Sequence, residues 1–152
     1  MEQRRCGPHD LSLSALGAGC WSFGGSEQDY WGAQDERDAL EVVEAALAQG
    51  VTYFDTAEAY NEGRSETALG KALGGRRSQA IIGSKVATGN ATPSTLRAHC
   101  EASLRRLGCD YLDVYMLHWP VTAYPPAEIF GILNDLRTEG KLRQVGVSNY
   151  GA

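Results

Sequence analysis

Several polar residues stand directly after apolar stretches of this sequence, at positions where buried β-strands would end. Asp55 follows Val-Thr-Tyr-Phe, Lys85 follows Ile-Ile-Gly-Ser, and His118 follows Val-Tyr-Met-Leu. Ser148 and Asn149 follow Val-Gly-Val in the same way. In a parallel barrel the carboxyl ends of the strands meet at one rim, and that rim carries the active site. The spacing therefore predicts a site built from ionisable and hydrogen-bonding groups.

Strands and helices alternate along the chain in the way that would build such a rim. Strands are predicted at residues 16–21, 51–54, 80–84, 112–117 and 145–147. The intervening helices begin near residues 35, 65, 92 and 125, and glycines end them. Residues 4–6 and 11–13 flank the turn-like segment GPHD at 7–10, which predicts a β-hairpin before the first unit.

This alternation indicates parallel βαβ units and therefore an α/β fold. The chain holds five predicted strands and four complete helices. Three more units of about 30 residues each would bring the length near the roughly 250 residues of an eight-fold (β/α) barrel. We therefore expect residues 1–152 to form a single incomplete domain, a truncated (β/α)8 barrel of the TIM-barrel type, preceded by the hairpin.

Short motifs spread along the chain resemble those of the aldo-keto reductases. They are FDTAEAY at 54–60, GRSE at 63–66, IGSK at 82–85, DVYMLHWP at 113–120 and GVSNY at 146–150. Their order and spacing resemble the family over the whole chain. In form these motifs are similar to those of the bacterial and plant branch of the family, which also includes potassium-channel β subunits. The last three βα units of the family have no counterpart in the 152 residues.

The resemblance implies a catalytic tetrad of Asp55, Tyr60, Lys85 and His118 that reduces an aldehyde or ketone. Hydride from NADPH, with NADH as the alternative donor, would leave charge on the carbonyl oxygen, so the site needs hydrogen-bond donors there. Tyr60 would be the general acid, and a nearby Lys85 ammonium would favour release of its proton. Asp55 would keep Lys85 charged and in place, and His118 would orient the carbonyl.

The same resemblance implies a smaller set of cofactor contacts. Ser148 and Asn149 would hold the nicotinamide carboxamide, and Asp55 would lie close to the ribose. Cys20 and Trp21, in the loop after the first strand, would lie beside the cofactor. The residues with which the family binds the diphosphate and the 2′-phosphate belong to the units that have no counterpart here.

Each of these residues also has a simpler structural interpretation. A single buried Asp, Tyr or His near a strand end is more often a structural hydrogen-bonding group, and Ser148-Asn149 could form a turn. Their joint occurrence on successive strands favours function. Three other hypotheses for the whole chain are a non-catalytic binding or regulatory module, a folding fragment of a longer reductase, and an aldolase in which Lys85 forms a Schiff base.

The composition excludes several other classes of protein. Hydrophobic residues make up 43 % of the chain, and 14 basic residues stand against 19 acidic ones, which argues against a nucleic-acid partner. No apolar run approaches the roughly 20 residues of a membrane span, and no secretory signal is expected. Four cysteines without a C-x-x-C spacing predict reduced thiols in a cytoplasmic protein. No metal site is expected, and His9 and His99 are predicted to be surface residues.

An incomplete barrel of this kind also predicts self-association. Four helices would cover only the outer face of a parallel sheet whose strands are apolar on both faces. The inner face would draw on residues among Phe54, Ile82, Val114, Met116 and Val147. The first and last strands would expose unpaired backbone groups. We therefore expect a homo-oligomer, most simply a two-fold dimer, that acts on a small carbonyl compound.

Overall fold

The predicted alternation of strands and helices is present in the structure, a computed structural model that describes residues 1–6 and 11–151. The elements in chain order are β1 (Gln3–Arg5), β2 (Ser12–Ser14), β3 (Gly17–Gly19), α1 (Glu36–Ala48), β4 (Tyr53–Asp55), α2 (Arg64–Leu73), β5 (Ile81–Val86), α3 (Leu96–Leu107), β6 (Leu112–Leu117), α4 (Pro126–Thr138) and β7 (Leu142–Val147). Strands β1 and β2 pair antiparallel as the predicted hairpin. Its predicted turn, including His9, lies outside the described residues.

The remaining strands form one parallel sheet in the order β3-β4-β5-β6-β7. Asp55 of β4 is aligned with Gly83 of β5, and Lys85 of β5 is aligned with Met116 of β6. Neighbouring strands of a parallel sheet run in the same direction, so their carboxyl ends reach the same edge. The predicted α/β fold, with five parallel strands and four helices, is confirmed. Within the described part of the chain, β3 and β7 are the edges of this sheet.

The helix starts follow local capping chemistry. Asp35 forms a capping box with Asp38, in which each side chain accepts a hydrogen bond from the backbone of the other residue. Helix α3 begins at Leu96, later than the predicted start near residue 92, because Thr92 first forms a turn with Thr95. The described helices include none that is both long enough and apolar enough to cross a bilayer.

The two faces of the sheet differ from the prediction. Phe54 and Ile82 are fully buried in the core on the helix side, so the expectation that they lie on the uncovered face is wrong. Side chains alternate between the two faces along a strand. Phe54 is one position from Tyr53, and Ile82 is three positions from Lys85, so each lies on the face opposite to that neighbour. The opposite face carries a groove of about 480 Å³, to which Tyr53, Val114 and Met116 contribute.

Candidate active site

The carboxyl-end edge of the sheet brings the four predicted catalytic residues together. Asp55 ends β4, Lys85 is the penultimate residue of β5, and His118 directly follows β6. Tyr60 opens a short 3-10 segment, Tyr60–Gly63, which leads into α2. The strand order places β4, β5 and β6 side by side, so three neighbouring strands supply the site.

The Lys85 ammonium is the centre of the site. Nζ donates to Asp55 Oδ2 at 2.6 Å, to the carbonyl oxygen of Thr56 at 2.9 Å and to Tyr60 Oη at 3.3 Å. Only 7 % of the Lys85 side chain is exposed. A buried charge is costly unless it is paired and hydrogen-bonded, and here three oxygen atoms meet that requirement. The ammonium is therefore held in one position against the Tyr60 hydroxyl.

Tyr60 is half-buried between two other aromatic rings. Its ring packs edge-on against His118, with 5.5 Å between centroids, and is stacked with Trp21 at 5.7 Å. These contacts restrict the ring, and the Lys85 contact fixes its hydroxyl. The Tyr60 hydroxyl is thereby held at the rim beside Lys85 Nζ.

His118 is half-buried beside Tyr60 and Lys85. Burial, and next the positive charge of Lys85, lower the pKa of His118 below its ordinary value of about 6.5. The ring is therefore neutral at neutral pH and offers one N–H donor and one acceptor nitrogen. A neutral imidazole can donate a hydrogen bond to a carbonyl oxygen without carrying a charge.

Ser148 and Asn149 follow β7 at the same edge. Asn149 Nδ2 donates to the carbonyl oxygen of His118 at 2.8 Å and to Ser148 Oγ at 3.0 Å. Asn149 has a positive φ of 62°, a conformation that asparagine adopts more readily than most residues. The backbone bends at these two residues, and their side chains offer amide and hydroxyl groups beside His118.

The two residues predicted from the first strand's loop differ in accessibility. Cys20 is fully buried in the core, and burial raises the pKa of its thiol, so this side chain offers no exposed atom to a cofactor. Trp21 is 47 % exposed and stacked with both Tyr60 and Tyr30. Of the two, Trp21 alone presents its side chain at the rim.

The loop that carries Trp21 is held by residues that the sequence reasoning did not identify. Asn61 Nδ2 donates to the carbonyl oxygens of Trp21 at 2.9 Å and Phe23 at 2.8 Å. Arg64 forms an ion pair with Asp29 of the same loop at 2.8 Å. Asn61 follows Tyr60 directly, so its proximity to the motif was the available signal. These contacts couple the position of Trp21 to that of Tyr60.

A second group that the sequence reasoning missed is centred on Glu58. Its side chain is 6 % exposed, and His99 Nδ1 lies 2.7 Å from its Oε2. The expectation that His99 is an isolated surface residue is therefore wrong, because its ring bridges α3 to this carboxylate. An acidic residue between Ala57 and Ala59 was a visible signal, but nothing local indicates a partner 41 positions away.

Comparisons with known proteins identify a family to which this chain is similar over nearly its whole length. A family model described as the aldo/keto reductase family matches residues 15–152. Aldo-keto reductase YhdN of Bacillus subtilis (strain 168) is 37 % identical, over 99 % of this chain and 47 % of that protein. The NADH-specific methylglyoxal reductase of Escherichia coli (strain K12) is 34 % identical, over 100 % of this chain and 53 % of that protein. The chain thus spans about half the length of the curated relatives it matches.

Solved structures show the same arrangement of elements. A Klebsiella pneumoniae aldo-keto reductase in complex with NADPH has a TM-score of 0.84 at 35 % identity, covering 93 % of this chain and 47 % of that one. The holo form of an aldo-keto reductase from Bacillus halodurans has a TM-score of 0.86 at 34 % identity, covering 98 % of this chain and 50 % of that one. By its match to the family model and its similarity to these relatives and solved structures, the chain belongs to the aldo/keto reductase family.

Proposed function

We propose that this chain carries the catalytic groups of an oxidoreductase that reduces a small aldehyde or ketone to an alcohol. The observation that carries the proposal is the position of Lys85 Nζ, 2.6 Å from Asp55 and 3.3 Å from Tyr60 Oη. A carboxylate, an ammonium and a phenol in this order can release a proton from the phenol and stabilise the anion that remains. Family membership supports the same chemistry.

Tyr60 is the general acid in this proposal. Its Oη donates a proton to the carbonyl oxygen of the substrate as negative charge develops on that oxygen. The Lys85 ammonium stabilises the resulting tyrosinate by charge attraction, and Asp55 holds the ammonium in place from the other side. The half-buried position of Tyr60 leaves it open to a substrate at the rim.

His118 orients the carbonyl beside Tyr60. Its ring packs edge-on against the Tyr60 ring, so both side chains border the same space. Because its lowered pKa keeps the imidazole neutral, it donates an N–H to the carbonyl oxygen and leaves the proton transfer to Tyr60.

The donor set at the end of β7 fits the nicotinamide end of NADPH, or alternatively NADH. The half-buried Ser148 hydroxyl and the exposed Asn149 amide supply both donors and acceptors, which is what a carboxamide requires. The exposed Trp21 ring borders the same rim, and Asp55 is proposed to lie near the ribose. When bound, the nicotinamide supplies the hydride that adds to the carbonyl carbon of the substrate.

Two further features of the proposal concern substrate and compartment. The Escherichia coli relative described above is by name a methylglyoxal reductase, which supports a small carbonyl compound as the substrate. All four cysteines are free thiols in the structure, which supports a reducing compartment such as the cytoplasm.

The state of Lys85 bears on the aldolase hypothesis. A Schiff-base lysine must attack with a free lone pair on nitrogen, whereas Lys85 Nζ is engaged by hydrogen bonds to a carboxylate, a carbonyl and a phenol oxygen. These contacts support the reductase over the aldolase. Borohydride reduction in the presence of a carbonyl substrate separates the two hypotheses, because only the aldolase leaves a covalent adduct on Lys85.

Titration of NADPH into the 152-residue chain, followed by addition of an aldehyde, tests the proposed function. We expect the aldehyde to cause consumption of NADPH by the parent, and a Lys85→Met variant to consume it far more slowly. A Lys71→Met variant is the matched control, because Lys71 forms a surface ion pair with Glu36. A parent that binds NADPH but consumes none with any aldehyde would support a non-catalytic binding module instead.

A further inference from the structure

We propose that Glu58 is a positioning residue for Lys85 and acts from the helix side of the sheet. The catalytic consequence of this role rests on the proposed function, whereas its structural consequence does not. Glu58 lies two residues before Tyr60 and belongs to the segment that connects β4 to α2. It is therefore placed to couple the segment that carries the phenol to the strand that carries the ammonium.

Glu58 contacts the chain directly after Lys85 through both its backbone and its side chain. Its backbone N–H donates to the carbonyl oxygen of Lys85 at 3.2 Å. Its Oε1 accepts from the backbone N–H of Ala87 at 2.8 Å and from Asn90 Nδ2 at 2.9 Å. The carboxylate therefore fixes the turn that follows β5, immediately beyond Lys85.

The other carboxylate oxygen of Glu58 is anchored to α3. Oε2 lies 2.7 Å from His99 Nδ1 and 3.9 Å from an Arg106 guanidinium nitrogen. A carboxylate that is 6 % exposed requires such partners, since a buried charge without hydrogen bonds is strongly disfavoured. The Glu58 carboxylate thus connects the turn after Lys85 to helix α3.

A second buried carboxylate holds the residue before Lys85. Glu66 of α2 is fully buried, and its Oε1 accepts from Ser84 Oγ at 2.5 Å. Its Oε2 accepts from Arg106 Nε at 2.6 Å, and Arg106 lies between the two carboxylates. The chain around Lys85 is thus held through the Ser84 side chain and the Ala87 backbone, while the Lys85 side chain extends to the opposite face.

This arrangement bears on the contact between Lys85 and Tyr60. Lys85 Nζ in β5 lies 3.3 Å from Tyr60 Oη in the segment that connects β4 to α2. Glu58 belongs to that connecting segment and contacts the end of β5. Displacement of a reacting group by about 1 Å can cost roughly 100-fold in rate. Loss of the Glu58 carboxylate should therefore reduce turnover without removing any group that touches the substrate.

The kinetic test compares Glu58→Ala with Glu58→Gln and with Glu44→Ala. We expect Glu58→Ala to lower kcat about tenfold or more while KM for NADPH changes little. Glu58→Gln retains an oxygen that can accept from Ala87 and Asn90, so most of kcat should be recovered. Glu44→Ala removes a carboxylate that is 55 % exposed and paired with Arg76, and it should match the parent. Equal kcat values for all three variants would overturn the catalytic role.

A spectroscopic test reads the position of Lys85 without turnover. The sequence contains three lysines, Lys71, Lys85 and Lys141, so labelling with carbon-13 at Cε gives few resonances to assign. Glu58→Ala should shift or broaden the Lys85 resonance alone, and Glu58→Gln should largely restore it. An unchanged Lys85 resonance in folded Glu58→Ala would overturn the positioning role.

The two tests separate the possible failures. If the parent shows no turnover, the proposed function fails, and the Lys85 resonance still decides whether Glu58 positions it. If Glu58→Ala does not fold, His99→Ala removes the α3 anchor and leaves the Oε1 contacts in place. His99→Ala should then shift the Lys85 resonance in the same direction by a smaller amount, and an unchanged resonance would overturn the proposal.

Discussion

Lys85 and Asp55 form an ion pair between neighbouring strands, with Nζ 2.6 Å from Oδ2, and its two members differ in exposure. The Lys85 side chain is 7 % exposed, whereas that of Asp55 is 32 % exposed. Removing the Asp55 carboxylate leaves the buried Lys85 charge with fewer partners than its burial requires. The pair therefore links the stability of the sheet edge to the chemistry proposed for it.

Asp55→Asn should lower the free energy of unfolding. A hydrogen bond to a charged group contributes about 1.5–3 kcal/mol, and the lower end applies because Asp55 is partly exposed. The measurement is the midpoint of urea-induced unfolding, compared between variants whose m-values are the same. Glu41→Gln, which alters an exposed pair with Arg37 on α1, is the control and should leave the midpoint nearly unchanged. Equal midpoints for both variants would show that the pair adds little.

His118 should titrate below its ordinary value of about 6.5, because burial and then the Lys85 charge lower its pKa. Below about pH 6.5 the unfolded chain then binds more protons than the folded chain, so stability falls as the pH drops through this window. NMR titration of the ring checks this, with His118→Gln to assign the resonance. Lys85→Met should raise the pKa of His118, and the distant Lys141→Met should not. An unshifted His118 would contradict the site electrostatics.

Binding of NADPH to this chain should be weak. The contacts proposed for Ser148 and Asn149 involve only the nicotinamide end, and the family resemblance implies that the phosphate-binding residues belong to units with no counterpart in the 152 residues. Each charge-assisted hydrogen bond contributes about 1.5–3 kcal/mol, so several fewer of them lower the affinity by orders of magnitude. Isothermal calorimetry measures this directly. Submicromolar binding would mean that another surface holds the phosphates.

Self-association remains a prediction, although Phe54 and Ile82 do not contribute to the open face of the sheet. Val114 and Met116 line the open groove, and the edges of the described sheet are β3 and β7. We expect a two-fold dimer by light scattering at micromolar concentration. Val147→Lys on the β7 edge should weaken dimerisation, because a lysine on an edge strand disfavours strand pairing. A monodisperse parent monomer that binds no dye for apolar surfaces would contradict the prediction.

The sequence predicted the rim better than the faces of the sheet. The sequence identifies Asp55, Lys85 and His118 because a polar residue after an apolar run marks a strand end, and parallel strands bring these ends together. The prediction for Ile82 is wrong because a continuous apolar run does not show which side chains face the helices. Its odd spacing from Lys85 would have placed it on the helix side.

Long-range partners explain most of what the sequence reasoning missed. The contact between Glu58 and His99 joins a loop to a helix 41 positions away, and no local periodicity indicates it. Cys20 is likewise buried in a core cluster built from residues of many separate elements. Such contacts depend on how the helices and strands pack in three dimensions, whereas the sequence predicts only their order along the chain.

The proton-donor role proposed for Tyr60 is tested most directly by Tyr60→Phe, which removes the hydroxyl and keeps the ring between Trp21 and His118. Tyr111→Phe is the control, since Tyr111 packs under Arg77. With NADPH and an aldehyde in excess, Tyr60→Phe should reduce turnover about 10²–10⁴-fold, the usual contribution of a general acid, with NADPH affinity unchanged. A Tyr60→Phe chain that reduces the aldehyde as fast as the parent would contradict the account.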